Sequence, residues 1–299
     1  MPDRPRVIAL VGPTAAGKSA AAMDLARRLD AEIVAVDAFT VYRDMDIGTA
    51  KPSPADRADI PHHLVDVLDP AQDCTVQWFQ STARAAVDAV LARGRTALLV
   101  GGSGLYFRAV VDPLEFPPTD PAVRAAVHRE AEADPPRAHA RLATADPAAA
   151  ALIAPGNLRR TVRALEVMQL TGRPFSDWRR AWDAYDPVWP DLEVVGLDLP
   201  REQLTARIDA RVDAMVAGGL VEECRGLRDR GPLSTTARQA IGYAEVLDHL
   251  DGDRTLEDAV EVTKARTRRF AARQRRWFRA DPRVRWRDPT TILHEVRAD

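Results

Sequence analysis

Residues 12–19 read Gly12-Pro13-Thr14-Ala15-Ala16-Gly17-Lys18-Ser19, a complete G-x-x-x-x-G-K-S pattern. The apolar run Val7–Val11 precedes it, and a stretch with helical spacing, Ala20–Leu29, follows. Strand, glycine-rich turn and helix in that order describe a phosphate-binding loop. The glycines let the backbone double back, so that N–H groups converge on an anion at a helix N-terminus. Lys18 adds a compact positive charge, and Ser19 a hydroxyl suited to Mg²⁺. Of 42 basic residues only three are Lys: Lys18, Lys51 and Lys264. A chain that uses Arg almost everywhere keeps at position 18 the point charge that a planar guanidinium does not reproduce.

Such a loop requires a parallel sheet, and the flanking sequence supplies one. Val7–Val11, Glu32–Val36 and Thr96–Val100 are continuous apolar strands, with a short apolar run at Leu64–Leu68. Val76–Arg93 has helical spacing and stops at Gly94. Apolar strands separated by helices imply a sheet covered on both faces. Near Pro117-Pro118 the texture changes. From there to about Tyr185 the chain is Ala- and Arg-rich, helical in spacing, and punctuated by Pro135-Pro136, Pro147 and Pro155. Leu192–Leu199 reads as a returning strand, followed by helices near 201–230, 238–250 and 255–280. The expected fold is an α/β P-loop core, residues 1–116 and 190–299, with a parallel sheet flanked by helices and a helical insertion domain at 117–189.

Composition excludes several classes. The chain has 299 residues, 46% hydrophobic and 29% charged, as in ordinary globular proteins. No apolar run approaches the roughly 18–20 residues that span a bilayer, and no leader-like apolar segment opens the sequence. Cys74 and Cys224 form neither a disulfide framework nor a zinc site. The expectation is a cytoplasmic protein with no membrane partner. Net charge is −2, yet residues 264–287 hold eleven Arg or Lys against one acid, Asp281. That segment can serve as an electrostatic footprint for a phosphate backbone.

Asp37 follows the second strand, at the sheet edge where ligands bind. A carboxylate there can hold Mg²⁺, take a proton from a nucleophile, or simply cap a turn. The strand Leu98–Val100 runs into Gly101-Gly102-Ser103-Gly104, where a motor ATPase carries an acid, and no Asn-Lys-x-Asp guanine signature occurs. A generic motor ATPase or GTPase therefore fits poorly. Ser103 can donate to a leaving group or sit in a plain turn. Arg159, Arg160 and Arg163 cluster at helical spacing. In the last helix Arg269, Arg273 and Arg276 share one face, with Phe270, Gln274, Trp277 and Phe278 on another. Singly, each Arg reads as a solvated charge over a packing stripe. His62 and His63 lack a third ligand and read as structural. Trp178, Trp182 and Trp189 read as helix packing.

Several blocks in order resemble the tRNA dimethylallyltransferase (tRNA isopentenyltransferase) family. They are Gly12–Ser19; Asp37 with Val41–Pro52; Pro61-His62-His63-Leu64; Gly101–Tyr106; Asn157 with Arg159, Arg160 and Arg163–Val167; Thr171–Pro174; Gln239–Tyr243; and Arg273–Phe278. The Met45–Pro52 block, joined to the phosphate loop, is the most specific. The resemblance implies transfer of a dimethylallyl group from dimethylallyl diphosphate to N6 of adenosine 37 in tRNA, with diphosphate leaving. It implies Asp37, Ser103 and Lys18 as catalytic residues, with Asp37 taking the N6 proton. Gly12, Pro13, Thr14, Ala15, Ala16, Gly17, Lys18, Ser19 and Arg211 would hold diphosphate, and Ser19 would hold the cofactor Mg²⁺. tRNA contacts would come from Asp37, Ala38, Phe39, Thr40 and Ser103; from Arg124, Arg159, Arg160 and Arg163; and from Gln239, Gly242, Tyr243, Arg273 and Arg276. The expected partner is the anticodon stem-loop, met by a monomer. Three positions depart from the family pattern: Thr40 where Gln or Leu is usual, Asp44 where Gly is usual, and Ser103 for Thr.

Two other classes stay open at this level. One is a small-molecule enzyme on the same core, an adenylate isopentenyltransferase or a nucleoside or metabolite kinase. The other is an RNA-binding module whose loop only senses nucleotide. The insertion and the basic C-terminal helix argue against the first. Asp37 and Gly101–Tyr106 argue against the second.

Overall fold

The computed structural model describes residues 6–182 and 184–288. Its strands are β1 (Val7–Val11), β2 (Ala31–Val36), β3 (His62–His63), β4 (Thr96–Gly101), β5 (Glu193–Leu197) and β6 (Val284–Arg287). They form one six-stranded sheet in the order β3-β2-β4-β1-β5-β6, parallel throughout. Strand side chains alternate between faces, and both faces are packed. Val7, Ala9 and Val11 of β1 enter one core; Ile8 and Leu10 enter the other.

The helices divide accordingly. The core under Ile8 and Leu10 takes α1 (Lys18–Leu29) and, later in the chain, residues 204 and 208 of a long helix. In chain order the others are α2 (Pro54–Asp59), α3 (Val76–Ala92) and α4 (Gly104–Val111); then α5 (Pro121–Ala133), α6 (Pro135–Ala145), α7 (Pro147–Leu152) and α8 (Leu158–Thr171); then α9 (Arg201–Ala217), α10 (Leu220–Arg230), α11 (Thr235–Arg238), α12 (Tyr243–Leu250) and α13 (Leu256–Arg279). The Val7–Val11 core takes α3, α4, α10 and α12. Helix α13 contributes to both: Ala271 packs on one side of the sheet and Phe278 on the other. It therefore crosses the sheet's edge, and Gln274 sits midway.

The chain divides into two compact units, one made of residues up to Asp112 and from Pro187 onward, the other Pro113–Asp186. The second unit holds α5 to α8, a 3₁₀ helix Phe175–Trp182, and its own core around Val127, Leu142, Val162 and Leu165. Three of its prolines, Pro121, Pro135 and Pro147, are helix starts. Asp120, Asp134 and Asp146 each accept backbone N–H bonds at an N-cap, with Pro next in line. Pro lacks the N–H that the first turn leaves unpaired, so Asp-Pro is a start signal.

Two expectations change and two features are new. The helix at 201–230 is two, broken at Gly218-Gly219, where Gly219 has φ +102°. The helix at 238–250 begins only at Tyr243, after the short α11. Leu64–Leu68 is no strand: Leu64 and Asp66 are left-handed (φ +61° and +58°). Strand β6 went unread because its alternation, Val-Arg-Trp-Arg, looks like a basic tail; it pairs with β5 from Val194 to Leu197. Residues 289–299, included in the expected core span, lie outside the described residues.

Candidate active site

Gly101, ending β4, lies opposite Val11 of β1 on one side and Val36 of β2 on the other. The residues that follow these strands, Gly102, Gly12 and Asp37, therefore emerge side by side. The approach is tight. A Cβ at Gly101 would lie 2.1 Å from the Val36 carbonyl oxygen, and one at Gly12 (φ +140°) 2.2 Å from that of Leu197. Only glycine permits strands and loop to converge so closely.

An open cavity of about 560 Å³ occupies this edge. Thr14, Ala15, Gly17, Lys18 and Ser19 line it, with Asp37 and Thr40 from the end of β2, Arg207 and Arg211 from α9, and Phe270 and Gln274 from α13. Lys18 Nζ donates to the carbonyls of Gly12 (3.0 Å) and Pro13 (2.7 Å). Burial, reinforced by the Arg211 charge and opposed by Asp37, lowers its pKa to about 8. Burial also lowers Arg211, again with Asp37 opposing. Two cations and one carboxylate thus share a desolvated site with excess positive charge, the setting for a polyanion.

These shifts have a sign. The folded chain holds the Lys18 proton less tightly than the unfolded chain, whose value is 10.5. Lys18 therefore lowers stability below about pH 8, and stability rises with pH between about 8 and 10.5. A bound diphosphate favours the ammonium and restores its proton. At pH 8, binding is expected to take up about half a proton, and affinity to fall as pH rises further. Calorimetry in buffers of different ionisation enthalpy measures this; no proton uptake would remove Lys18 from the anion site.

Asp37 Oδ1 accepts from Phe39 N (2.8 Å), which fixes the carboxylate at the cavity and leaves Oδ2 for chemistry. Ala38 is buried, and Phe39 packs on the core, so neither lines the cavity. Thr40 does, and its Oγ1 is buried with no hydrogen-bond partner among the described residues. Ser103 is the N-cap of α4, but its hydroxyl makes no capping bond. It lies just beyond the cavity lining, next to Gly102. Ser19 is exposed at the start of α1. For Mg²⁺ the cavity offers the Ser19 hydroxyl at the phosphate loop and the Asp37 and Asp56 carboxylates, but among the described residues no group of three acidic, His or Cys ligands. That thin donor set fits an ion that keeps its waters and is held chiefly by a substrate diphosphate.

The wall opposite the phosphate loop, Thr49–Pro52, is pinned from behind. The Lys51 side chain is 2% exposed and pairs with Asp46 (2.6 Å) and Asp66 (2.5 Å) while donating to Tyr42 O (2.6 Å). Lys51 and Arg57 together hold the Asp66 carboxyl below the usual range, against its burial. Glu223 of α10 accepts from Asp46 N (3.0 Å), Ile47 N (2.9 Å) and Tyr243 Oη (2.5 Å). Asp44 is left-handed (φ +61°), which explains why Gly suits that position; here its carboxylate is held by Arg230 (2.6 Å).

Tyr243 corrects an expectation. It is fully buried, its ring lies where a side chain at Gly48 would go, and burial followed by the Glu223 charge pushes its phenol up. It supports the 46–48 turn and does not reach RNA. Gly242 is buried too, its N–H given to Glu245 (2.7 Å). Of that block only Gln239 is exposed. Tyr243→Phe is expected to lower stability by about 1–2 kcal/mol, from the lost hydrogen bonds, while tRNA affinity stays within about twofold. Urea unfolding beside a tRNA titration separates these outcomes.

In the second unit, Glu166 is fully buried and accepts from Thr119 Oγ1, Asp120 N, Arg124 Nε (2.9 Å) and Arg163 Nη1 (2.9 Å). Arg163 also donates to the carbonyls of Pro117 and Pro118. Arg124 and Arg163 are thus held in place by a buried carboxylate while their side chains stay partly exposed, 48% and 26%. Arg159 and Arg160 remain exposed. His63 Nε2 meets Glu32 (2.6 Å), and His62, which lines the cavity, meets Ile60 O through Nδ1 (2.7 Å).

Helix α13 supplies what sequence reasoning did not assign. Gln274 is buried, and its Oε1 accepts from Thr14 N (2.8 Å), bracing the phosphate loop across 260 residues. Arg275 anchors the helix to Asp198 beyond β5 (2.7 Å). No local pattern signals either contact. Arg207 was legible, four residues before Arg211 on one helical face. Arg273, stacked 5.7 Å over Phe270, and Arg276 are both exposed.

Comparison with known proteins accords with this geometry. The family profile described as IPP transferase matches residues 40–281, and that described as isopentenyl transferase matches residues 5–61. A tRNA dimethylallyltransferase of Kineococcus radiotolerans is 54% identical, over 94% of this chain and 90% of its own. One from Streptomyces coelicolor is 50% identical, over 95% and 91%. The crystal structure of a tRNA isopentenylpyrophosphate transferase from Bacillus halodurans aligns over 97% of this chain and 94% of its own, with TM-score 0.70 at 39% identity. A eukaryotic dimethylallyltransferase described as acting on tRNA aligns over 95% and 74%, with TM-score 0.79 at 26% identity.

Proposed function

Because this chain belongs to the tRNA dimethylallyltransferase family, it is a tRNA-modifying prenyltransferase, and we propose that its donor is dimethylallyl diphosphate and its target N6 of adenosine 37, beside the anticodon. The observation that supports this reading is the meeting of the phosphate loop, Lys18, Arg211 and Asp37 in one cavity, with glycines instead of an acid after β4. Such a site holds a diphosphate and accepts a proton, but lacks the acid with which motor ATPases hold their metal.

In the proposed reaction the adenine N6 attacks the allylic carbon; the N–C bond forms as the C–O bond to diphosphate breaks. Asp37 takes the N6 proton, which makes a weakly nucleophilic exocyclic amine competent. Lys18, Arg211 and the loop N–H groups stabilise the charge that grows on the leaving diphosphate. Ser19 would hold Mg²⁺, which would supply charge neutralisation for the leaving diphosphate. Ser103 donates to the departing oxygen, and Thr40 lines the cavity that the incoming base enters. The target base must leave the loop stack to enter such a cavity. The reading also implies a monomer acting in the cytoplasm, where tRNA is matured.

Arg159 and Arg160 are assigned to tRNA phosphates. Reversing both to Glu is expected to weaken tRNA binding and reduce the slope of log K against log salt by about 1–2. An unchanged slope would return them to the solvated surface. The central test is product mass after incubation with Mg²⁺, dimethylallyl diphosphate and unmodified tRNA. A gain of one dimethylallyl group on adenosine, lost when adenosine 37 is replaced, supports the assignment. Prenylated AMP alone would overturn it.

A further inference from the structure

We propose that Trp277 is a stacking platform for an unpaired base of the anticodon loop, next to the adenosine that enters the cavity. The inference rests on the tRNA reading above and extends it to a subsite of its own. Helix α13 turns Phe270, Gln274 and Trp277 (spaced i, i+4, i+7) along one line. The first two line the cavity, and Gln274 touches both Thr14 and the place a Gly102 side chain would fill. Trp277 continues that line past the cavity. A Cβ at Gly104 would lie 2.0 Å from Trp277 Cδ1 and 2.2 Å from Nε1, so the pyrrole edge of the indole is seated directly on the start of α4, beside Ser103.

Despite that seat the side chain is 43% exposed, and the other large apolar side chains exposed among the described residues are Val67, Leu152 and Val188. The packing-stripe reading of the sequence therefore holds for Phe278, which is fully buried, but not for Trp277. Its setting indicates what covers it. Arg273 and Arg276, on the same helix within a turn, are exposed, and residues 264–287 carry eleven basic groups against one acid. An exposed indole among arginines matches a nucleobase on a phosphate chain better than an apolar protein surface. Extruding the target adenosine exposes the faces of its neighbours, and an aromatic ring at the cavity rim can replace the lost stacking partner.

The test uses the full chain and a fluorescein-labelled anticodon stem-loop RNA, with binding read by anisotropy. A second set of RNAs carries an abasic nucleotide at each loop position in turn. Trp277→Ala is expected to raise Kd about tenfold on intact RNA. One abasic position should cost the wild type a similar factor, and combining the two should cost nothing more. Trp277→Phe should keep most of the affinity while Trp277→Leu loses it. That pair decides the matter even if the alanine variant does not fold. Equal affinity for the Phe and Leu variants, or losses that multiply at every abasic position, would make Trp277 a packing residue and overturn the inference. A wild type that does not bind intact stem-loop RNA would instead overturn the tRNA reading itself, and the platform with it.

Discussion

Asp37→Ala is expected to lower turnover on tRNA by roughly 10²–10⁴ while tRNA affinity changes little. The carboxylate is the acid group in the cavity whose charge acts on both Lys18 and Arg211. Removing it takes away the proton acceptor but not the cations. Diphosphate should therefore bind at least as well in the variant, since the negative charge that repelled it is gone. Asp37→Asn is the sharper control, because its amide oxygen can still accept from Phe39 N and keep the turn (2.8 Å in the wild type). Single-turnover rates with saturating dimethylallyl diphosphate, together with Kd for each substrate, check the point. Near-normal turnover in the Asn variant would exclude Asp37 as the base. Weakened tRNA binding with unchanged turnover would make it a recognition residue instead.

The second large effect is on stability. Asp112 closes α4 and is fully buried, paired with Arg108, whose side chain is 4% exposed, and with Arg283 Nη1 at 2.5 Å. Arg283 is shared with Asp281 (2.7 Å). Asp112→Ala removes the fully buried carboxylate that Arg108 and Arg283 both pair with, at a cost of about 3–5 kcal/mol. Urea unfolding should show this as a lower midpoint, and α4, which starts at Ser103, should lose amide protection. Joint replacement by Arg108→Met and Asp112→Leu should recover much of the loss, because two uncharged side chains of similar volume need no compensation. If the single and double variants are equally unstable, the pair is not the source of the effect.

The phosphate-loop half of the cavity was legible because its signals are local. A phosphate loop is a run of eight residues whose spacing alone dictates its conformation. Asp37 could be placed because an acid at the end of an apolar strand must emerge at the sheet's carboxyl edge. The missing acid after Val100 was equally readable, as was the helical texture of the insertion.

Errors arose where a residue's role depends on what faces it. Tyr243 and Gly242 stand in a block that resembles an RNA-contacting one, yet they pack behind the Gly48 turn. Arg163 shares helical spacing with Arg159 and Arg160, but the buried Glu166 claims it. Arg124, far off in sequence, is claimed by the same carboxylate. An arginine on a helical wheel carries no mark of whether a buried acid or solvent lies opposite, because spacing fixes a face and not its partner.

By itself, then, the sequence determined the parallel α/β architecture, the phosphate loop with Lys18, the position of Asp37 and the family, since each follows from residues within a few turns of one another. Only the tertiary structure decided that Gln274 braces the loop at Thr14, that Glu223 and Lys51 pin the facing wall, that Glu166 holds Arg124 and Arg163, and that Trp277 stays outside. The physical reason is one of range. Backbone conformation and strand order answer to local sterics and hydrophobic period, whereas desolvation and ion pairing answer to whichever side chain the completed fold brings within about 3–4 Å.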